Sequence, residues 1–191
     1  MCKLISCQLC CKFDPTFYFS GTFICLKLIT QGAKVMLRNM NTQSVVLWNF
    51  FLMIAWHLLA LILCKILNKK FFDPRRKKYL PKKWEKNGLV YINFFKIKKW
   101  KDRLPQYISH GGFSKESLSK DLCRDPKYLD RFIMETCRAE WNHKLASCYF
   151  LLSTCINSLI FGIVFSIIPL IANLPFILIQ RYNRIRLTRL R

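Results

Sequence analysis

Residues 45–64 read VVLWNFFLMIAWHLLALILC, a run without a single Asp, Glu, Lys or Arg. At about 1.5 Å of helical rise per residue the run reaches about 30 Å, the depth of a bilayer's hydrocarbon core. It is too long and too far from Met1 for a signal-peptide core, and no small-residue cleavage site follows it. It predicts a transmembrane helix. A second uncharged run, residues 145–180, is 36 residues long, more than one crossing requires. Asn157, Ser158 and Gly162 interrupt it, and Pro169 and Pro175 follow. The economical reading is a membrane hairpin, with a first leg over 145–156 and a second ending at Gln180. The first leg is short for a full crossing, so a re-entrant loop stands as the alternative.

Outward from these two runs the chain is basic. Lys and Arg number 32 against 10 Asp and Glu, a net charge of +22, while 52% of residues are hydrophobic. Charge and apolarity at those levels coexist when they are segregated into spans and flanking loops. Nucleic-acid binders share the charge but not the long apolar runs, so the implied partner is an anionic membrane lipid surface and not nucleic acid. Residues 69–144 carry 21 basic and 9 acidic side chains, and residues 181–191 carry five arginines. Positive charge beside spans stays in the cytosol. The middle segment and the C-terminus are therefore expected inside, and the N-terminus outside.

The fold class expected is an all-α membrane protein. It has one N-terminal transmembrane helix (45–64), a basic amphipathic helical segment (65–144), a membrane hairpin (145–180) and a basic cytosolic tail (181–191). Residues 1–44 are expected to be an unstructured leader. Gln31-Gly32-Ala33 can be encoded with AAGGAG, a bacterial ribosome-binding sequence, which makes Met36 a candidate start. Five of the ten cysteines fall in the first 25 residues, and Cys7-x-x-Cys10-Cys11 lacks a second ligand pair, so no zinc site is expected.

Within the middle segment, Trp84, Gly88, Tyr91 and Phe95 recur at helical spacing among Lys82, Lys83, Lys86, Lys96 and Lys98. Such a helix suits either the headgroup layer or plain solvent. Gly111-Gly112 predicts a turn and Ser114 a cap. Asp125-Pro126 reads as N-cap and first residue of a helix running to about His143. On that helix Tyr128, Leu129, Phe132, Ile133, Thr136 and Ala139 share an apolar face, and Glu140 and His143 fall within it.

A carboxylate and an imidazole three residues apart can meet on a helix. A neutral His143 could take a proton from an attacking hydroxyl while Glu140 orients it. The plainer reading is a buried Glu–His hydrogen bond that docks the helix. Glu135 and Arg138 read as a surface ion pair unless a phosphate binds there. His57 lies mid-span, facing another helix, and His110 is loop-borne beside Gly111. Among absent motifs are the GxSxG elbow, the phosphate-binding P-loop, the dinucleotide fingerprint and the HxxxxD signature of glycerolipid acyltransferases.

Several motifs in order carry a resemblance. They are Trp84-Glu85-Lys86-x-Gly88, Ile97-Lys98-Lys99-Trp100-Lys101-Asp102-x-Leu104-Pro105 and Gly111-Gly112-Phe113-Ser114-Lys115. Glu135-Thr136-Cys137-Arg138-Ala139-Glu140-x-x-His143, Leu170-Ile171-Ala172-Asn173-Leu174-Pro175 and Gln180-Arg181-Tyr182-Asn183-Arg184-x-Arg186-Leu187 follow. Together they resemble the glycosyl-4,4'-diaponeurosporenoate acyltransferase family over residues 45–191. The resemblance implies a bacterial membrane enzyme that esterifies a fatty acyl chain onto the sugar of a glycosylated carotenoid acid, the closing step of staphyloxanthin-type pigment synthesis. Another glycolipid acceptor, or a non-enzymatic assembly role in a pigment-synthesising complex, are the rival readings. The residues expected to act are His143 as general base and Glu140 as its partner. Arg138, Glu135, Lys98, Lys99, Lys101 and Lys115 would hold an anionic acyl donor, acyl-CoA or acyl carrier protein. The expected chemistry uses no metal or other cofactor.

Overall fold

The computed structural model describes Leu28, residues 30–104 and residues 125–191. His110, Gly111, Gly112, Ser114, Lys115, Cys123 and the N-terminal cysteines fall outside the described residues. Helix α1, Thr42–Ile66, opens where Asn41 accepts a hydrogen bond from the Ser44 backbone N–H at 2.8 Å. Two 3-10 turns, Lys69–Phe72 and Lys83–Gly88, lead to the short helices α2 (Leu89–Asn93) and α3 (Ile97–Trp100). The bundle is completed by α4 (Pro126–Ser147), α5 (Tyr149–Ile156) and α6 (Leu159–Leu190). Every regular element among the described residues is helical.

Helices α1 and α6 have the length and composition to cross a membrane. Leu47, Phe51, Ile54, Leu58 and Ile62 of α1 are exposed, as are Ile160, Ile163, Ile167, Ile171 and Leu174 of α6. Water would penalise such surfaces and lipid does not.

The helix that leads into the expected first leg begins well before Leu145. α4 and α5 meet at a single residue, Cys148, whose N–H donates to the carbonyls of Lys144 and Leu145 at 3.2 and 3.0 Å. Together they run antiparallel to α1: Cys64 Sγ–H donates to Arg138 O (3.7 Å), Trp56 Nε1–H to Leu145 O (2.9 Å) and Asn49 Nδ2–H to Asn157 Oδ1 (2.8 Å). Those contacts cover about 22 Å of α1, so α5 and the end of α4 together line most of its length. Asn157 and Ser158 make the turn, as their polarity predicted; Asn157 donates back to Asn49 Oδ1, and Tyr149 Oη donates to Asn49 O at 3.2 Å. This neutral polar knot closes one end of the bundle.

The other end is basic, and one expectation fails there. The helix expected through Trp84, Gly88, Tyr91 and Phe95 breaks, because Lys86, Asn87 and Gly88 have φ of 44°, 55° and 89°. Left-handed backbone ends a right-handed helix. Gly88 is needed for its φ, and it packs on α6, where an added Cβ would meet Ile185 Cγ2 at 3.4 Å, an ordinary contact distance. The turn thus presses on α6, and Tyr91 and Ile97 are buried against Tyr182 and Ile185. The α6 helix itself runs on past Gln180, where the expected membrane leg ends. It continues through the expected tail to Leu190, with Arg181 and Arg184 buried. Leu178, Tyr182 and Ile185 fall on one packed side, and carboxylates receive the two arginines.

The α4 cap forms as its sequence predicts: Asp125 accepts from the Lys127 N–H at 2.9 Å, with Pro126 in first position. The helix ends at Ser147, one turn later than expected, because Lys144–Ser147 continue its side against α1. Leu129, Ile133, Thr136 and Glu140 are buried along the expected face.

Candidate active site

Glu140 and His143 share a helix but not a hydrogen bond. Glu140 is fully buried, and its Oε1 accepts from Arg181 Nη1 at 3.2 Å and from Lys144 Nζ. Its Oε2 accepts from Arg184 Nη2. Burial alone would raise the Glu140 carboxyl, but Arg184, Lys144 and Arg181 hold it below the ordinary range. With three cations around it, Glu140 makes no hydrogen bond to His143, unlike the pairing expected from their spacing.

The same arginines tie down the basic loop. Arg181 is bidentate to Glu85, Nε to Oε1 at 2.7 Å and Nη2 to Oε2 at 2.8 Å. Glu85 also accepts from Tyr91 Oη and the Lys82 N–H, each at 2.5 Å. Burial works to raise the Glu85 carboxyl; Arg181, the Lys82 N–H and Tyr91 outweigh it and hold the group at about 2. Arg181 Nη2 further donates to Leu80 O (3.1 Å) and Arg184 Nε to Tyr79 O (3.1 Å). The cluster joins the loop, α4 and α6.

One turn beyond Glu140, His143 faces a neutral partner. Its Nδ1 lies 2.9 Å from Asn173 Oδ1 on α6, and its ring stacks on Phe176 with centroids 4.8 Å apart and planes 10° from parallel. Asn173 Nδ2 donates to Pro169 O at 2.8 Å and lies 3.2 Å from His57 Nε2 on α1. His57 Nδ1 is 2.8 Å from Met53 O. Three helices therefore converge on a line of two imidazoles and one amide. Among the described residues no hydrogen bond reaches His143 Nε2.

The other expected site residues sit apart from this line. Arg138 Nη1 pairs with Glu135 Oε1 at 2.7 Å, three residues away on α4, and its guanidinium lies over the Phe72 ring. Lys98 and Lys99 are exposed on α3, and Lys101 pairs with Asp102 at 3.2 Å. Among the described residues no ion pair or hydrogen bond links these lysines to Arg138. Sequence reasoning missed Asn173, Glu85, Arg181 and Arg184 as site residues. A usable signal was present for Asn173, a polar residue in an otherwise apolar span. For the arginines, their i,i+3 spacing at the end of that span was the trace.

Helical architecture alone does not name a reaction, and no solved structure matches this chain. A curated protein of Staphylococcus aureus (strain N315), glycosyl-4,4'-diaponeurosporenoate acyltransferase, is 28% identical over 149 residues, covering 74% of this chain and 86% of that protein. The family model described as glycosyl-4,4'-diaponeurosporenoate acyltransferase matches residues 69–191. The matched residues hold the Glu85–Arg181–Glu140–Arg184 cluster, His143 and Asn173; α1, with His57, precedes them. On a match of that extent the chain belongs to the glycosyl-4,4'-diaponeurosporenoate acyltransferase family, and it is an acyltransferase.

Proposed function

We propose that this membrane enzyme transfers a fatty acyl chain to a sugar hydroxyl of a glycosylated carotenoid acid at the cytosolic face, with His143 as general base. The observation that carries the reading is the open Nε2 of His143. It lies among helices whose outer faces suit lipid, at the end of a line in which Asn173 and His57 already have their partners. Nε2 takes the sugar O–H proton as that oxygen attacks the acyl thioester carbonyl. The C–S bond then breaks, and the imidazolium returns the proton to the departing thiolate.

Location follows the same logic. An acceptor that is part pigment and part sugar dissolves in the bilayer with its sugar at the headgroups, so its acylating enzyme meets it there. The positive-inside bias puts residues 65–138 and the end of α6 on the cytosolic side, with His143 a short way into the span beside His57. There the exposed Lys98 and Lys99, with Lys101, Lys115 and Arg138, attract an anionic donor such as acyl-CoA or acyl carrier protein. Exposed Trp84 and Phe94, close in sequence to Lys83, Lys86 and Lys96, suit an anionic headgroup layer.

The test replaces His143 by Ala in cells that make the pigment. Transfer should fall by about a hundredfold or more while the membrane level of the protein is kept. A His143→Ala protein at normal level that still acylates near the normal rate removes His143 from the mechanism. In a strain lacking the enzyme, the glycosylated carotenoid acid should accumulate; accumulation of a different unacylated glycolipid would reassign the acceptor.

A further inference from the structure

We infer that Asn173 is the positioning residue of this enzyme: it locks His143 in the tautomer with the proton on Nδ1 and the lone pair on Nε2. The inference rests on the general-base reading of His143 and adds which nitrogen acts and what holds it.

The assignment follows from two groups that can only accept. Pro169 O and Met53 O are backbone carbonyls, so each must face a donor. Pro169 O therefore fixes the Asn173 amide with Nδ2 toward it, which turns Oδ1 toward His143. An amide oxygen accepts, so His143 Nδ1 carries the hydrogen. Met53 O makes His57 Nδ1 a donor by the same rule, which leaves His57 Nε2 bare to accept the second Nδ2 hydrogen of Asn173. Both ends of the line thus demand the same arrangement. A flipped amide would set oxygen against Pro169 O and against a bare His57 nitrogen, losing two hydrogen bonds where water is scarce. Phe176, stacked flat on the imidazole, holds the ring plane.

An amide partner differs from a carboxylate in one respect that matters. It orients the ring without a charge that would favour the imidazolium. His57 is the titratable group facing His143 from α1; α6 faces it with Asn173 and Phe176, and α4 itself adds Lys144 and the cation-bound Glu140. His143 thereby stays neutral and able to take a proton.

The full-length enzyme in detergent, labelled with 15N-histidine, reads the tautomer directly. The wild type should give an Nδ1–H and an unprotonated Nε2 at His143, and the reverse pattern would overturn the inference. Asn173→Leu suits an apolar helix and should mix the tautomers. It should lower kcat by about tenfold or more, with KM for a long-chain acyl-CoA little changed. Asn173→Asp should keep the tautomer and much of the turnover, but move the acid limb of the pH–rate profile to higher pH, because the new carboxylate favours the imidazolium. Normal kcat and an unmoved acid limb in both Asn173 variants, with His143→Ala inactive, would overturn the positioning role and leave the base standing. An active His143→Ala enzyme would instead remove the base itself, and this inference with it.

Discussion

Glu140 and His143 stand one turn apart on α4, yet they belong to two different kinds of polar site. The Glu140 site gathers Arg181, Arg184 and Lys144 around one carboxylate and Arg181 around a second, Glu85. Both carboxylates have their oxygens engaged, and three separate chain segments meet on them. The His143 site is neutral, held by one amide, and ends on a nitrogen without a partner among the described residues. Engaged carboxylates in a buried cluster bind the fold together, and of the two arginines only Arg184 keeps a nitrogen, Nη1, without a partner among the described residues. An oriented base with an open lone pair is free to act on a substrate. Proximity on a helix therefore says little about shared function; what each side chain meets on α6 separates the roles.

The largest expected effect breaks the charged site. Replacing Glu140 by Ala strands Arg184 in the interior without its carboxylate and leaves Arg181 with Glu85 alone, a loss of roughly 3–5 kcal/mol for a broken buried ion pair. Membrane abundance and the thermal midpoint in detergent should both drop sharply; an unchanged midpoint would contradict the structural role given to Glu140.

The comparison is sharpened by an isosteric pair of variants. Glu140→Gln should reduce the amount of folded protein while each folded molecule turns over at a near-normal rate. His143→Gln should do the opposite, keeping abundance and losing about a hundredfold in turnover. Rates normalised to folded protein decide between them, and a Glu140→Gln enzyme with normal abundance and lost turnover would return Glu140 to the mechanism.

A pH series gives an intermediate effect. With the Glu85 carboxyl held at about 2 against an ordinary 4.5, the unfolded chain binds more protons between those values. The stability that Glu85 contributes is full above about 4.5 and is lost as pH falls toward 2, and the lowered Glu140 acts in the same direction. Thermal midpoints taken down this range should fall, and the slope should be shallower in Glu85→Gln. Equal slopes would mean that the Arg181–Glu85 pair is not linked to folding.

The smallest effect belongs to Glu135 and Arg138, a partly exposed pair within one helix. Glu135→Gln should change stability by no more than about 1 kcal/mol. It should leave turnover at saturating donor unaltered, and a rise in KM for acyl-CoA alone would mark Arg138 as a donor contact.

Much of this arrangement was legible in the residues. The uncharged run at 45–64 became α1, Asp125-Pro126 became the start of α4, Asn157-Ser158 became the hairpin turn, and Leu129, Ile133, Thr136 and Glu140 share the buried face that their spacing required. These are local matters: hydropathy, caps and the 3.6-residue period act within a few residues of each other. What Glu140 and His143 would meet was not local. Arg181 and Asn173 lie 41 and 30 residues further along the chain, and they arrive only because α6 runs unbroken past its two prolines and Gln180 beside α4. Sequence alone determined that a carboxylate and an imidazole would share one helix face. Only the tertiary structure decided that three cations would take the first and an amide the second, because a buried polar group bonds to whatever packing brings within about 3 Å.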